Sequence, residues 1–229
     1  MGTVELTGLL IMAIMASGQN LAHPSTRVWT ILALVLKRSS LVIPGLRGTP
    51  AGITTTSAPD NVSSNPPLSR GGHDTGLGND SVIGNGNSTS GNAFGINNLR
   101  NSTIDTGDGD DTVTGVASSA TGEVVGIFNN GVIDGGAGDD VFDALTGGWG
   151  GNGRADLGSG NDTVRGFGSG TFDGGIGLDT LVFNAGTYNI ARVGSQLDRF
   201  EITLSSLQNS PVMTVTEFEF FGEGDQQTS

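Results

Sequence analysis

The chain has 229 residues, of which 40 are glycine and none is cysteine, and its formal net charge is −13. So much glycine argues against a large side-chain core and for an architecture dominated by backbone. The acidic balance excludes the basic face that a nucleic-acid partner requires, and the missing cysteines take disulfides out of the argument.

Residues 1–46 differ from the rest. They carry two apolar runs, 9–16 and 28–36. Neither reaches the roughly 20 residues that span a bilayer. No Lys or Arg precedes Leu9, whereas a secretory signal wants a positive start. We read 1–46 as an apolar, poorly ordered leader, with a signal or membrane anchor as the alternative. Residues 47–73 hold Pro50, Pro59, Pro66 and Pro67 among Ser, Thr, Gly and Asn, which is linker composition. His73, at its edge, is read as incidental.

From Asp74 onward one frame recurs five times: Asp-x-Gly-x-Gly-x-Asp-x-apolar, starting at Asp74, Asp105, Asp134, Asp156 and Asp173. Its second aspartates are Asp80, Asp111, Asp140, Asp162 and Asp179. Its glycines are Gly76 and Gly78, Gly107 and Gly109, Gly136 and Gly138, Gly158 and Gly160, Gly175 and Gly177. Repetition of this kind is the signature of a stacked architecture. Glycine lets the segment bend tightly, and a tight bend turns carbonyl oxygens toward a common centre. Carboxylates with carbonyls make an all-oxygen cage, which suits Ca2+ better than a rigid octahedral ion. Zinc is disfavoured without cysteine and with only two histidines. Two residues after each second aspartate stands Val82, Val113, Phe142, Val164 or Leu181, which reads as a short strand with its apolar side chain inward. The bland alternatives are solvated turns of a metal-free β-solenoid, or an acidic disordered tract.

These copies resemble the glycine-rich calcium-binding nonapeptide of the RTX (hemolysin-type) repeat family, G-G-x-G-x-D-x-U-x. The nonapeptides begin at Thr75, Thr106, Gly135, Leu157 and Gly174, so three lack the first glycine, while the second, fourth and sixth positions are kept in all. The resemblance covers residues 74–183. It implies stacked turns with each ion between neighbours, held by the sixth-position carboxylate and glycine-region carbonyls. It also implies export from a bacterial cell, through a type I secretion apparatus, to the exterior or cell surface.

The sixth-position aspartates are spaced by 31, 29, 22 and 17 residues. The last step approaches two nonapeptides, and the earlier ones leave room for one more strand and turn. The insert keeps its own register: Gly95-Ile96 recurs as Gly126-Ile127, and Asn97-Asn98 as Asn129-Asn130. Ile104, Ile133, Ala155 and Phe172 share the place before each first aspartate. The Asn pairs are read as residues that tolerate left-handed backbone, rather than as a side-chain ladder. Segments 187–192, 200–204 and 212–221 read as strands of a C-terminal β cap spanning 184–221, followed by a loose tail, 222–229. The expected fold is thus all-β, a right-handed parallel β-solenoid (β-roll or β-helix) with one calcium edge and at most four sites between five loops.

Catalysis is not expected. Gly148–Gly153 matches G-x-G-x-x-G but lacks a strand–helix context, and acids repeated along a ladder do not make one asymmetric active site. The expected function is calcium binding coupled to folding. Charges about 4 Å apart repel by roughly 1 kcal/mol in water and about 4 at an effective dielectric of 20, so the acidic loops need a counter-ion. A polysaccharide-binding or polysaccharide-acting β-helix and a surface adhesin module are the alternatives.

Overall fold

The computed structural model describes residues 73–195 and 197–223, together with three strands at Leu41–Pro44, Ile53–Thr54 and Asn61–Asn65. Among these residues the chain is all β, without a helix. The strands fall into an eight-stranded sheet, a nine-stranded sheet, a three-stranded sheet and a pair within the turns.

The eight-stranded sheet is built by the strands that leave the glycine turns: Ser81–Ser88, Thr112–Ser119, Val141–Asp143, Thr163–Arg165 and Thr180–Phe183. All its pairings are parallel. Val82, Val113, Phe142, Val164 and Leu181 stand in register, each fully buried between half-exposed or exposed neighbours. That is the alternation expected of a strand with one face on a core.

The nine-stranded sheet contains the strands that enter the turns: His73–Asp74, Thr103–Asp105, Val132–Asp134, Arg154–Asp156 and Gly170–Asp173. Its inward column runs His73, Ile104, Ile133, Ala155, Phe172, and its outer column Asp74, Asp105, Asp134, Asp156, Asp173. The extra residues of the first three steps form the three-stranded sheet, one strand from each: Ala93–Asn98, Val124–Asn129 and Trp149–Gly150. Glycine brings this sheet into backbone contact with the first: a Cβ on Gly84 would lie 2.3 Å from the Gly95 carbonyl oxygen, and one on Gly115 would lie 2.2 Å from that of Gly126. Where the steps shorten, rings fill the core instead, with Trp149 edge-on to Phe172 at 4.8 Å between centroids.

The Asn expectation is corrected. Asn98 and Asn129 are buried, and Asn98 Nδ2 donates to Asn129 Oδ1 at 2.9 Å. Asn129 Nδ2 donates in turn to the Arg154 carbonyl. Among the described residues the only non-glycine positive φ angles are at Asn101 and Glu217, so this pair forms a ladder and does not serve a left-handed turn.

At the C-terminal end, Tyr188–Arg192, Arg199–Leu204 and Met213–Thr216 pair antiparallel. Met213–Thr216 and Phe220–Glu223 also pair parallel with Gly170–Asp173 and Thr180–Phe183. The expected single strand over 212–221 is therefore two, and they continue both large sheets by one more layer. At the other end Ile53–Thr54 and Asn61–Asn65 fall in the stretch read as linker, and pair parallel with His73–Asp74 and Ser81–Gly84. Pairing thus begins before Asp74. Apart from Leu41–Pro44, the leader 1–46 lies outside the described residues, as does the tail after Glu223. The parallel, in-register order is compatible with a β-helix.

Candidate functional site

The five glycine turns lie on one another. Gly107 has φ +91° and Gly109 φ +145°, angles open to glycine. A Cβ on Gly107 would stand 1.8 Å from the Gly76 carbonyl oxygen, and one on Gly109 would stand 2.2 Å from that of Gly78. The stacking itself therefore demands glycine. Third-position amides bind the layers: Asp108 N–H donates to Gly76 O at 3.0 Å, Ala137 N–H to Gly107 O at 3.0 Å, Ser159 N–H to Gly136 O at 2.9 Å and Ile176 N–H to Gly158 O at 2.9 Å. The carbonyls of Gly76, Gly107, Gly136 and Gly158, expected to face an ion, each spend one lone pair on the next turn and keep a second.

The sixth-position aspartates form a buried column, none more than 3 % exposed. Asp111, Asp140, Asp162 and Asp179 each take an amide from the turn before. Asp80 N–H donates to Asp111 Oδ1 at 2.6 Å, Asp111 N–H to Asp140 Oδ1 at 2.8 Å, Asp140 N–H to Asp162 Oδ1 at 2.7 Å and Asp162 N–H to Asp179 Oδ1 at 2.8 Å. The fifth position builds a second ladder of opposite sense on the exposed side. Asp110 N–H donates back to Asn79 Oδ1, Asp139 N–H to Asp110 Oδ1, Asn161 N–H to Asp139 Oδ1 and Leu178 N–H to Asn161 Oδ1.

The first aspartates of the frame stand elsewhere. Each follows an inward residue, so Asp105, Asp134, Asp156 and Asp173 are half-buried on the outer face. Arg154 bridges Asp156 at 2.8 Å and Asp173 at 2.9 Å; at this exposure the pairs are worth up to about 1 kcal/mol each. Partial burial and then the neighbouring Asp134 and Asp74 push the Asp105 carboxyl above its ordinary pKa. The structure brings first acids to first acids and sixth to sixth. Among the described residues no group of three acidic or histidine side chains converges as a metal cage.

The sixth-position column is nonetheless short of partners. Oδ2 of Asp111, Asp140, Asp162 and Asp179 is buried without a hydrogen-bond donor. Burial is the main force raising these carboxyls, opposed by the amide each accepts. Asp111 and Asp162 are each pushed up to about 6 and Asp140 to about 8. A buried carboxylate oxygen with no donor costs free energy, and two remedies exist: a proton or a cation. The donors are all oxygen, and His73 is buried in the core column away from the turns, so a hard cation such as Ca2+ fits the chemistry.

Three participants were not singled out from sequence. Glu219 stands in register with Asp179, one residue before the Phe220↔Thr180 pair, and its Oε2 accepts the Asp179 amide at 2.7 Å. The signal was present: an acid two residues before Phe221, as Asp179 stands before Leu181. The fifth-position ladder was visible as Asn or Asp in four of the five copies. The hydroxyls of Thr75 and Thr106 reach the next layer.

No family model matches the chain, and no curated protein or solved structure matches it.

Proposed function

We propose that the chain is a calcium-binding repeat protein of RTX-like kind, a right-handed parallel β-solenoid in which ions between stacked turns couple binding to folding. The observation that carries this reading is the column of four buried, donorless Oδ2 atoms on Asp111, Asp140, Asp162 and Asp179. Their carboxylates, with carbonyls of the adjoining turns, are the residues that would hold the ion. Calcium when bound supplies positive charge that the column lacks, and the chain's own residues do the rest. Glycines set the turn spacing, sixth-position Oδ1 atoms fix the amides, and Oδ2 atoms are left for the ion.

The reading is non-enzymatic. Export from a bacterium belongs to it, since external-type affinities of roughly 10⁻⁴–10⁻³ M suit a chain ordered only outside the cell. The test is circular dichroism and thermal melting of the full chain in chelator and in millimolar CaCl2. Calcium is expected to raise strand content and the melting temperature. A spectrum and a melting temperature indifferent to calcium, with stabilisation by an oligosaccharide instead, would support a polysaccharide-binding β-helix.

A further inference from the structure

The chain adds one more layer after the fifth turn, and it enters that layer in register. Thr216 pairs with Asp173, while Phe220 and Phe221 pair with Thr180 and Leu181. The backbone bonds that join turn to turn recur here. Gly174 N–H donates to the Thr216 carbonyl at 2.9 Å, as Leu157 N–H does to that of Asp173. Phe220 N–H donates to the Asp179 carbonyl at 3.0 Å, as Thr180 N–H does to that of Asp162. Yet two residues separate Thr216 from Glu219, where five separate Asp173 from Asp179. The segment is a further turn with its glycine loop removed.

Its oxygens stand where a full turn puts them. Glu219 Oε2 accepts the Asp179 amide at 2.7 Å, the bond that Asp179 Oδ1 makes with the Asp162 amide at 2.8 Å. The Glu217 carbonyl takes the place of a first-position carbonyl. A Cβ on Gly174 would strike it at 2.0 Å, as one on Gly135 would strike the Leu157 carbonyl oxygen at 2.4 Å. The same Cβ on Gly174 would meet Asp179 Oδ2 at 2.7 Å. The buried, donorless oxygen of Asp179 therefore lies with the Glu217 carbonyl. Glu217 makes this bend without glycine, at φ 57°, a left-handed conformation that is costly for a residue with a Cβ.

The missing loop changes the setting. The sixth-position aspartates are buried, whereas Glu217 and Glu219 are exposed. The acids also crowd one another. Burial and then, among the charges, Glu219 ahead of Asp173 raise the Asp179 carboxyl, against the Asp162 amide that lowers it. Desolvation, then Asp173 and Asp198, with Glu219 after them, raise that of Glu217. Among the described residues no Lys or Arg forms an ion pair with Asp179, Glu217 or Glu219.

We propose that a divalent cation is taken between the fifth turn and the C-terminal cap, at Asp179 Oδ2, the Glu217 carbonyl and the Glu219 carboxylate, and that it fastens the cap strands Tyr188–Arg192, Arg199–Leu204 and Met213–Thr216 to the stack. This rests on the calcium reading above and adds to it a ligand from outside the repeats. The donors are all oxygen, and the exposed side leaves room for water to complete the shell, which suits the flexible coordination of Ca2+.

The test is isothermal titration of the chelator-stripped full chain with CaCl2, joined to amide hydrogen exchange with and without the ion. In the wild type, calcium is expected to slow exchange both in Thr112–Ser119 of the stack and in Arg199–Leu204 of the cap. Glu219→Gln keeps an acceptor for the Asp179 amide and removes the charge. It should bind one equivalent fewer and lose the calcium-dependent protection of the cap, but not that of Thr112–Ser119. Glu201→Gln, an exposed acid of the cap away from this place, should match the wild type. Should Glu219→Gln fail to fold, the two segments of the wild type carry the test. Calcium that protects Thr112–Ser119 and leaves Arg199–Leu204 unchanged, or a Glu219→Gln chain with wild-type stoichiometry and cap protection, overturns the cap site while leaving calcium binding intact. A wild-type chain that binds no calcium overturns both.

Discussion

The amide of Asp111 donates to Oδ1 of Asp140, 29 residues on, at 2.8 Å in a fully buried setting. The other oxygen of the same carboxylate has no donor. One half of this side chain therefore holds the stack together while the other half opposes it.

Substitutions at Asp140 should separate the two halves. In chelator near pH 7.5, Asp140→Asn keeps an acceptor for the Asp111 amide and removes a carboxyl that must take up a proton or bury its charge on folding, so its melting temperature is expected to exceed that of the wild type. Asp140→Ala leaves the Asp111 amide unanswered, which costs about 1–3 kcal/mol, and is expected to melt below Asp140→Asn. The reverse order between the two variants would show that the hydrogen bond contributes little.

The pH dependence of the metal-free chain follows from the raised carboxyls. Asp111 and Asp162 at about 6 and Asp140 at about 8 keep protons in the folded state that the unfolded chain gives up near pH 4. Asp110 adds to the repulsion on Asp140, and Asp139 to that on Asp162. The folded state then binds more protons, so stability in chelator falls as pH rises from about 4 to 8. Urea titrations at pH 5 and pH 8 in chelator check this, with the midpoint expected to be higher at pH 5.

His73 pulls the other way. Burial in the inward column holds its imidazole below the ordinary value, so the unfolded chain takes up a proton near pH 6.5 that the folded chain refuses. Its contribution is therefore lost as pH falls through that region. His73→Leu is expected to gain most over the wild type at pH 5, and little at pH 8. A gain independent of pH would mean that packing alone decides.

Two glycines with the same backbone angle should behave differently. Gly107 and Gly91 have φ +91° and +92°. A Cβ on Gly107 meets the Gly76 carbonyl oxygen at 1.8 Å, and one on Gly91 meets nothing within 4 Å. Gly91→Ala should cost roughly 1–2 kcal/mol of backbone strain. Gly107→Ala should exceed this clearly by prying two turns apart, as read from unfolding midpoints of both variants.

Much of the arrangement was legible because it is periodic. The register of Val82, Val113, Phe142, Val164 and Leu181, and that of Ile104, Ile133, Ala155 and Phe172, follow from counting along the chain. So does the third sheet, from the Gly-Ile recurrence at 95 and 126. What stayed hidden depends on neighbours a whole layer away. Asp105 and Asp111 look like partners six residues apart, yet the strand period sends the first outward and the turn sends the second inward. Asn98 and Asn129 read as turn residues until the next layer supplies each with a partner. Glu219 escaped notice because only Glu217 and Phe218 separate it from the strand ending at Thr216, where the frame has five residues.

The two ladders of opposite sense bear on how such a monotonous sequence avoids mispairing. Fifth-position oxygens accept from the following layer and sixth-position oxygens from the preceding one. A slip of one residue would put Asp110 where Asp111 belongs and break both ladders together, so each layer checks its own alignment. It does not check which copy lies beneath it, because Asp111 and Asp140 are interchangeable in this respect. That choice falls to the unequal lengths of chain between the turns.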